Sequence, residues 1–389
     1  MVVTDHGPPE AVYTFDRAGR LFAAWVGGRF YRRALNGRIV EKFTVGIRPR
    51  RITYRRTLEA READALVDRA AAAAREASAG VGTDAVEVLW TASGPRSLEE
   101  AARLAQAAAA FTSAAASADV RRYGEVYRPV GILPPDQYLA LVLQVTEGCR
   151  WNRCTFCAFY RDQPFRVKPL SELAEHIQQV RAYLGEGLRL RRSLFLGEAN
   201  ALCLPTADLL PRLALIRRWF PDGGSRPMYS FMDIFTTRPK TIEEFQALRQ
   251  QGLRRVYLGL ESGDDTLLRW LNKPQQAAHA VEVVRTLKAA GLAVGVILMV
   301  GVGGDRFAAA HVEASRRLLA ALPLDDGDLV YLSVLQSPPG GDYERAAREA
   351  GIHPLSSEAL AAQLDALRAA ASRQHGPRVA PYNIADFVY

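Results

Sequence analysis

The sequence has few cysteines and no long apolar segment. Only four cysteines occur in 389 residues, and three of them are crowded together, which excludes the disulfide framework of a small secreted protein. The first ten residues lack the apolar stretch of a secretory signal. The longest strongly apolar run, residues 292–302, is too short to span a bilayer and is interrupted by glycine. We therefore expect a cytoplasmic protein without a transmembrane segment, whose thiols stay reduced.

The composition is that of a globular protein with an uneven distribution of charge. Hydrophobic residues make up 49% of the chain and charged residues 24%, and the length allows one large core and an accessory domain. The formal net charge is +8, and residues 1–60 hold twelve Lys or Arg against five Asp or Glu. The densest basic segment, residues 48–56, includes Arg50, Arg51, Arg55 and Arg56. It could contact nucleic acid, a phosphorylated metabolite or an anionic lipid surface; a solvated arginine-rich face is the alternative.

Three cysteines, Cys149, Cys154 and Cys157, lie within nine residues. Three thiolates on one short loop can bind three irons of a cubic iron–sulfur cluster, which leaves the fourth iron open for a substrate or cofactor. A zinc site of three cysteines and one histidine is the alternative. The nearest later histidine, His176, belongs to a helical pattern in which we expect it to be partly exposed, and this disfavours zinc. Cys203 is expected to be a packed thiol, so a second cluster bound wholly by this chain is not expected.

The N-terminal region is predicted to be a small α+β domain. Its predicted strands are Val12–Phe15, Leu21–Val26, Phe30–Arg33 and Ile39–Val45, with an Asn36-Gly37 turn before the last. Alanine-rich helices are predicted at 57–79 and 96–117, around a strand at Ala85–Trp90. We assign residues 1–125 to this accessory domain.

From residue 138 the sequence alternates between strand and helix patterns. The predicted strands are Leu139–Val145, Ser193–Leu196, Met228–Met232, Arg255–Leu260, Val294–Val300 and Leu329–Leu335. The predicted helices are 170–184, 206–219, 241–251, 277–290, 307–322 and 342–350, with a further helix at Ser356–Ala371. Six β/α units indicate a parallel sheet that forms a partial (β/α)6 TIM-like barrel, or alternatively an open doubly wound sheet. We assign residues 126–340 to this α/β core and residues 341–389 to a short helical extension.

Candidate ligand-binding residues follow the ends of these strands, where a parallel barrel builds its site. Glycine lets a ligand approach the backbone, a carboxylate can bind an ammonium group or two ribose hydroxyls, and lysine offers a cation to a carboxylate. The residues are Gly197, Glu198, Ser230, Asp233, Glu261, Lys273 and the glycine-rich segment 300–304, which includes Val300 and Gly301. Together with the cysteine loop, they describe a pocket for a zwitterionic amino acid joined to a nucleoside.

This set of motifs resembles the radical S-adenosylmethionine (SAM) superfamily, and within it the group related to the elongator catalytic subunit and the methylthiotransferases. The resemblance covers roughly residues 125–340 and includes Cys149-x4-Cys154-x2-Cys157, with Phe156 before the last cysteine. It also includes the segments 195–202, 257–263 and 271–274. The most common spacing in the superfamily has three residues in the first gap, so the gap of four marks a separate branch. Residues 1–120 lie outside the resemblance.

The resemblance implies cofactors and chemistry. Cys149, Cys154 and Cys157 would bind a [4Fe–4S] cluster whose open iron chelates the amine and carboxylate of SAM. One electron would cleave SAM to methionine and a 5′-deoxyadenosyl radical, which takes a hydrogen atom from the substrate. The implied SAM contacts are Gly197 and Glu198 to the methionine ammonium, Lys273 to its carboxylate, Glu261 with Ser230 or Asp233 to the ribose, and the backbone of Val300 and Gly301 to the adenine.

We therefore expect a radical SAM enzyme with one cluster and an unidentified substrate. The substrate is a small molecule or RNA, the latter gripped by the basic N-terminal domain. An external one-electron donor such as flavodoxin or ferredoxin is implied as a partner. A zinc-stabilised binding protein that keeps the barrel without catalysis is the alternative from another class.

Overall fold

The computed structural model describes residues 1–46, 52–89, 97–221 and 226–389. These residues form two compact units, one from residues 1–130, 178–192 and 385–389 and the other from residues 131–177 and 193–384. The second unit takes in most of the predicted core and most of the predicted C-terminal extension, while residues 126–130 and 178–192 of the predicted core belong to the first unit. The functional division at residues 125 and 340 stays a prediction, because these units follow packing alone.

The first unit contains a six-stranded antiparallel sheet whose order follows the chain. Its strands are β1 (Val2–Asp5), β2 (Ala11–Phe15), β3 (Leu21–Val26), β4 (Arg29–Arg33), β5 (Ile39–Val45) and β6 (Ile52–Thr57). The four predicted strands are confirmed as β2 to β5, while β1 and β6 were not predicted. Gly37 has φ +86° in the turn between β4 and β5, as the Asn-Gly signal requires. The meander is therefore longer by one strand at each edge than the sequence pattern indicated.

Three helices of the described residues follow this sheet in the chain. They are α1 (Ala60–Gly80), α2 (Leu98–Ala109) and α3 (Ser113–Val126). Buried alanines of α1, including Ala70 and Ala74, pack against Tyr13 and Phe15 of the sheet in one apolar cluster. The small side chains let the helix lie close to the strands, which explains the alanine-rich composition of this segment.

Two predictions for this region were wrong. The single helix predicted at 96–117 is two helices, because α2 ends at Ala109 and Thr112 caps the start of α3. The Thr112 Oγ1 accepts a hydrogen bond from the Ala115 N–H at 3.4 Å. The strand predicted at Ala85–Trp90 is not formed by residues 85–89, and Trp90 lies outside the described residues. Leu89 is 80% exposed, so its side chain is not buried against a neighbouring strand or helix as a strand residue of the core would be.

The second unit is built on a parallel seven-stranded sheet. Its strands, in spatial order, are β7 (Ala140–Gln144), β10 (Ser193–Gly197), β11 (Met228–Phe231), β12 (Leu253–Glu261), β13 (Ala293–Val300), β14 (Leu329–Val334) and β15 (Arg378–Pro381). Two short strands, β8 (Thr146–Glu147) and β9 (Arg166–Val167), pair separately. The six predicted core strands are confirmed, and β15 is an additional edge strand that was not predicted.

Helices connect these strands as the alternating pattern predicted. They are α4 (Leu170–Leu184), α5 (Thr206–Trp219), α6 (Ile242–Gln250), α7 (Asp265–Trp270), α8 (Ala277–Ala289), α9 (Gly304–Ala321), α10 (Asp342–Glu349) and α11 (Ser357–Ala371). The strand order follows the chain without a reversal, so the architecture is the predicted partial TIM-like barrel and not a doubly wound sheet. Loops after the strand carboxyl ends therefore lie along one edge of the sheet.

The sheet is buried on both faces. Every residue of β7 and β10 is buried, as is nearly all of β13, which matches their continuous apolar sequences. Beside the sheet, Asp136 accepts hydrogen bonds from the hydroxyls of Tyr257 at 2.6 Å and Tyr331 at 2.7 Å. Within the parts of the chain that the structure covers, no helix has the length and apolarity needed to cross a membrane.

Candidate functional site

The cysteine loop, residues 148–165, leaves the carboxyl end of β7 and is closed by the pairing of β8 with β9. Thr146 lies opposite Val167 and Glu147 opposite Arg166 in this antiparallel ladder. Gly148 opens the loop with φ +69°, and a Cβ at this position would lie 2.5 Å from the Gln163 carbonyl oxygen. Only glycine fits there, because the returning chain passes so close to its backbone. The two ends of the cysteine loop are thus held together beside the sheet.

The three cysteines of this loop are free and partly exposed. Asn152, in the left-handed region with φ +47°, donates its backbone N–H to Cys149 Sγ at 3.3 Å and its side-chain amide to the Tyr160 carbonyl at 2.7 Å. Burial raises the pKa of Cys154 to about 12, and the charge of Lys273 opposes this rise while those of the other two cysteines add to it. Three soft thiol ligands and a lysine ammonium therefore share one space, and this donor set fits an iron–sulfur cluster with one open iron.

Arg161, four residues after the last cysteine, binds the backbone of the cysteine loop. Its guanidinium donates to the carbonyl oxygens of Asn152 at 3.0 Å, Cys154 at 2.8 Å and Cys157 at 3.1 Å. A planar group with five N–H donors is suited to three acceptors at once. The role of Arg161 was not predicted from the sequence, where the one available signal was an arginine shortly after the cysteine motif.

The segment from Leu271 to Lys273 lies against the same loop. Trp151 Nε1 donates to the Asn272 carbonyl at 2.7 Å, and the Asn272 side-chain amide donates to the Arg153 carbonyl at 3.0 Å. Thr155 donates its N–H to the Leu271 carbonyl at 3.0 Å. Asn272 has φ +54° at the end of α7, a conformation that asparagine tolerates better than most residues. These contacts fix the position of Lys273 relative to the cysteines.

Two predicted residues, Glu261 at the end of β12 and Lys273 after α7, meet as an ion pair. Lys273 Nζ lies 2.8 Å from Glu261 Oε1, and both side chains are buried. Burial alone would lower the pKa of Lys273, but the charges of Glu261 and Cys154 raise it above its ordinary value. Lys273 also lies 5.8 Å from the centre of the Phe156 ring. Glu261 has φ +59° just after a register shift between β12 and β13, which turns its side chain toward the lysine.

Glu198 connects the end of β10 to the start of the cysteine loop. Its Oε2 accepts the Gly148 N–H at 2.7 Å, and its Oε1 accepts the Gln144 side-chain amide at 2.8 Å. Burial raises the pKa of Glu198 to about 7, although both hydrogen bonds act in the opposite direction. Gly197, joined to Glu198 by a cis peptide bond, accepts the Thr146 hydroxyl at its carbonyl. The predicted pair Gly197–Glu198 therefore lies directly beside the entry to the cysteine loop.

Ser230 and Asp233 make local contacts at the end of β11. Ser230 donates its hydroxyl to the Leu196 carbonyl at 3.0 Å, across to the neighbouring strand. Asp233 accepts the N–H groups of Thr236 at 2.7 Å and Thr237 at 3.1 Å, so it shapes the loop that follows. Asp233 also borders a cavity of about 150 Å³. Their predicted contact with a ribose stays a prediction.

The segment after β13 is held by the C-terminal helices. Gly301 has φ +81° and donates its N–H to Gln363 Oε1 of α11 at 2.6 Å. Gly303 donates its N–H to the Tyr343 hydroxyl of α10 at 2.8 Å, while the Val300 carbonyl accepts the Leu335 N–H at 2.9 Å. The sequence placed this loop at the site but gave no role to Tyr343 or Gln363, since two helix residues far along the chain carry no motif.

The predicted exposure of His176 was wrong. Its side chain is buried, and Nε2 accepts the Gln144 backbone N–H at 3.1 Å, because the helix presents this residue to the edge strand β7. The buried Cys203 agrees with the packed thiol that was expected. No three His, Cys, Asp or Glu side chains in the described residues lie close enough together to hold a single metal ion.

In the described part of the basic N-terminal segment, residues 52–56, the cations are less available than the sequence indicated. Arg50 and Arg51 lie outside the described residues. Arg55 forms an ion pair with Asp386, and Arg56 pairs with Glu41 and Glu62. The described arginines of the segment are therefore already matched with carboxylates.

The sequence itself identifies the class of protein that this fold and site define. Residues 143–310 match the family model of the radical SAM superfamily, and they contain the cysteine loop and the strands β10 to β13. This segment of the chain is therefore a radical SAM domain, and enzymes with such a domain use a [4Fe–4S] cluster and SAM. The specific resemblance to the elongator and methylthiotransferase group is not confirmed. No curated protein matches the sequence.

Several solved structures are similar to this chain at low sequence identity. The coproporphyrinogen III oxidase of Escherichia coli, a radical SAM enzyme, shares 14% identity over 65% of this chain and 56% of its own, with a TM-score of 0.45. The radical SAM methyltransferase TsrM of Kitasatospora setae, solved with cobalamin and a [4Fe–4S] cluster, shares 16% identity over 58% of this chain and 41% of its own, with a TM-score of 0.41. The archaeal Elp3 of Methanocaldococcus infernus shares 14% identity over 52% of this chain and 51% of its own, with a TM-score of 0.39. The chain thus spans less than two thirds of each of these proteins.

Proposed function

We propose that this enzyme binds one [4Fe–4S] cluster through Cys149, Cys154 and Cys157 and uses it to cleave SAM reductively. When bound, the cofactor pair supplies a 5′-deoxyadenosyl radical that abstracts hydrogen from the substrate. The observation that carries the proposal is the convergence of three thiols from one loop with the buried Lys273–Glu261 pair. In this proposal the thiols would bind the irons, and the ion pair would supply partners for the carboxylate and the ribose of SAM.

Lys273 and Glu261 would divide the recognition of SAM between them. The Lys273 ammonium offers two further N–H donors beyond its bond to Glu261, enough for the methionine carboxylate. Glu261 keeps a second carboxylate oxygen for ribose hydroxyls. Because both side chains are buried, their interactions with a bound ligand are little screened by water.

The remaining predicted residues would complete the pocket. Glu198, beside the cysteine loop, would accept the methionine ammonium, and its hydrogen bonds from Gln144 and Gly148 orient its carboxylate. Gly197 would offer its backbone to the same ligand, because it has no side chain to block the approach. Ser230 or Asp233 would bond to the ribose, and the backbone of Val300 and Gly301 would flank the adenine.

We take the substrate to be a small molecule. The pairing of Arg55 and Arg56 with carboxylates in the structure removes support from the alternative of an RNA gripped by the N-terminal domain. The enzyme needs an external one-electron donor, for which flavodoxin or ferredoxin is the proposed class of partner.

The proposal is tested by reconstituting the protein with iron and sulfide without oxygen. We expect about four irons per chain, and 5′-deoxyadenosine after addition of dithionite and SAM. Cys154→Ala is expected to lose both the iron and the product, while the matched control Cys203→Ala, which removes the buried thiol outside the loop, keeps both. Bound zinc without iron, or a full cluster that produces no 5′-deoxyadenosine, would contradict the proposal and favour the zinc-stabilised binding protein or a non-catalytic protein respectively.

A further inference from the structure

The N-terminus of α10 contacts both halves of the proposed cofactor site. Asp342 Oδ2 lies 2.8 Å from Arg161 Nη2, and the same guanidinium binds three carbonyls of the cysteine loop. The adjacent residue, Tyr343, accepts the Gly303 N–H at its hydroxyl. Two consecutive residues therefore reach the loop of the cysteines and the segment after β13.

Each contact has a rigid support. Tyr343 is buried in an apolar cluster with Leu267, Leu271 and Met299, and its ring meets Trp270 edge to face at 5.4 Å between centroids. Asp342 is held on its other oxygen by Arg345. Arg345 in turn donates to the Gly340 carbonyl at 2.8 Å. The start of α10 is thus fixed by several contacts, and the apolar cluster around Tyr343 also takes in Val302 of the segment after β13 and Phe156 of the cysteine loop.

The geometry points to a positioning role, and this inference rests on the proposed function. Arg161, Asp342 and Tyr343 together form a link that we call the α10 brace. It fixes the position of the cysteine loop relative to the Val300–Gly303 segment. A SAM molecule that spans the two needs its amino-acid end at the cluster and its nucleoside end at the segment after β13. Catalysis depends on holding such groups to within a fraction of an ångström. Because Asp342 and Tyr343 are neighbours on one helix, the link keeps the distance between the cysteine loop and the Val300–Gly303 segment constant.

The three residues act on different parts of the link, which separates their expected effects. Arg161→Lys keeps the positive charge but removes the planar guanidinium, so the cysteine loop loses most of the three hydrogen bonds to its carbonyl oxygens. We expect about tenfold faster loss of iron during anaerobic desalting, since one bond to a charged group has about this effect on an equilibrium. Tyr343→Phe removes only the acceptor of the Gly303 N–H, so we expect normal iron content and about tenfold weaker SAM binding in equilibrium dialysis.

Asp342→Asn is the decisive variant, because Asp342 touches neither the cysteines nor the segment after β13. We expect it to retain iron yet weaken SAM binding several-fold and to alter the change that SAM causes in the electron paramagnetic resonance spectrum of the reduced cluster. Its effect should be non-additive with that of Tyr343→Phe in a double-mutant cycle. Arg348→Gln, an exposed position on the same helix, is the matched control and should behave as the wild type.

A cluster-independent measurement completes the test. In the protein before reconstitution, hydrogen exchange of backbone amides should become faster at residues 152–160 in Arg161→Lys and at residues 301–304 in Tyr343→Phe. If the wild type binds iron and SAM but the three variants match it in iron, SAM affinity and exchange, the brace is refuted and the proposed function stands. If the wild type binds neither iron nor SAM, the proposed function fails and the brace fails with it.

Discussion

Lys273 Nζ and Glu261 Oε1 lie 2.8 Å apart in a buried ion pair beside the cysteine loop. The two residues come from the end of β12 and from the turn after α7, and the pair exists because Asn272 binds the cysteine loop on one side of the lysine. A buried charge left without its partner is costly, so the two residues are expected to depend on each other.

Removal of either partner should destabilise the protein strongly. We expect Lys273→Met or Glu261→Gln to lower the free energy of unfolding by about 3–5 kcal/mol, because each leaves an uncompensated or unsatisfied polar group in a buried site. The double variant should be less destabilised than the sum of the two single ones. Urea denaturation followed by circular dichroism measures this, and strict additivity would show that the pair is not coupled. All three variants should lose SAM binding.

Gly148→Ala should disrupt the cysteine loop. A Cβ there would lie 2.5 Å from the Gln163 carbonyl oxygen, on a residue with φ +69°, so the backbone must shift. We expect a loss of more than about 1 kcal/mol in unfolding free energy and poor retention of iron. The matched control is Gly124→Ala in α3, where no atom lies within 4 Å of the added Cβ; it should stabilise the helix by about 0.5–1 kcal/mol. Equal behaviour of the two variants would contradict the expectation.

The stability of the protein should depend on the protonation of Glu198. Burial raises its pKa from 4.5 to about 7, so the folded state binds more protons than the unfolded state between these values. Stability contributed by this group is therefore full below pH 4.5 and is lost as the pH rises through 7. Glu198→Gln should abolish this contribution, whose slope reaches about 1.4 kcal/mol per pH unit. Urea titrations at several pH values, without SAM, give the slope; an identical slope in both proteins would refute the shift.

His311 should act in the opposite direction over part of the same range. Its ring is buried between Ser262 and the Met299 carbonyl, and burial lowers its pKa from 6.5 to about 4. The folded state thus binds fewer protons than the unfolded state, and stability is lost as the pH falls from 6.5 toward 4. His311→Gln should remove the loss of stability between pH 6.5 and 4. The free energy of unfolding of this variant should then rise as the pH falls from 7 toward 4.5, because of Glu198. The same urea titrations test it, and an acid-side loss that survives the substitution would exclude His311 as its source.

Most of the parallel sheet could be predicted because its strands carry continuous β-branched and leucine-rich runs between helical patterns. The edge strand β15 could not, since Arg378-Val-Ala-Pro381 is short, polar at its start and closed by proline, and only its pairing with β14 makes it a strand. The division of 96–117 into two helices was hidden by alanine, which favours helix on both sides of the break. Local propensity therefore predicted the strands of the core, and it failed for the elements whose structure depends on tertiary contacts.

The residues of the candidate site also fall into those that the sequence could predict and those that it could not. Cysteines, glycines and charged residues at strand ends could be selected from the sequence because their chemistry is unusual at those places. Arg161 and Asn152 could not, since their roles consist of bonds to backbone carbonyls that exist only in the folded loop. Nor could the sequence show that Glu198 already binds the Gly148 N–H. The residue types in a sequence show which side chains can bind or react. The hydrogen bonds that hold those side chains in place are seen only in the folded structure.

The pairing of β15 with β14 has a consequence for how the protein is made. All the other strands of the parallel sheet are synthesised before β15, so the edge of β14 stays open until residues 378–381 emerge from the ribosome. An open edge can pair with a foreign strand, and the hazard grows with the time it is exposed. Shortening of the chain before residue 378 should therefore show itself first as insoluble protein during expression, before any question of catalysis arises.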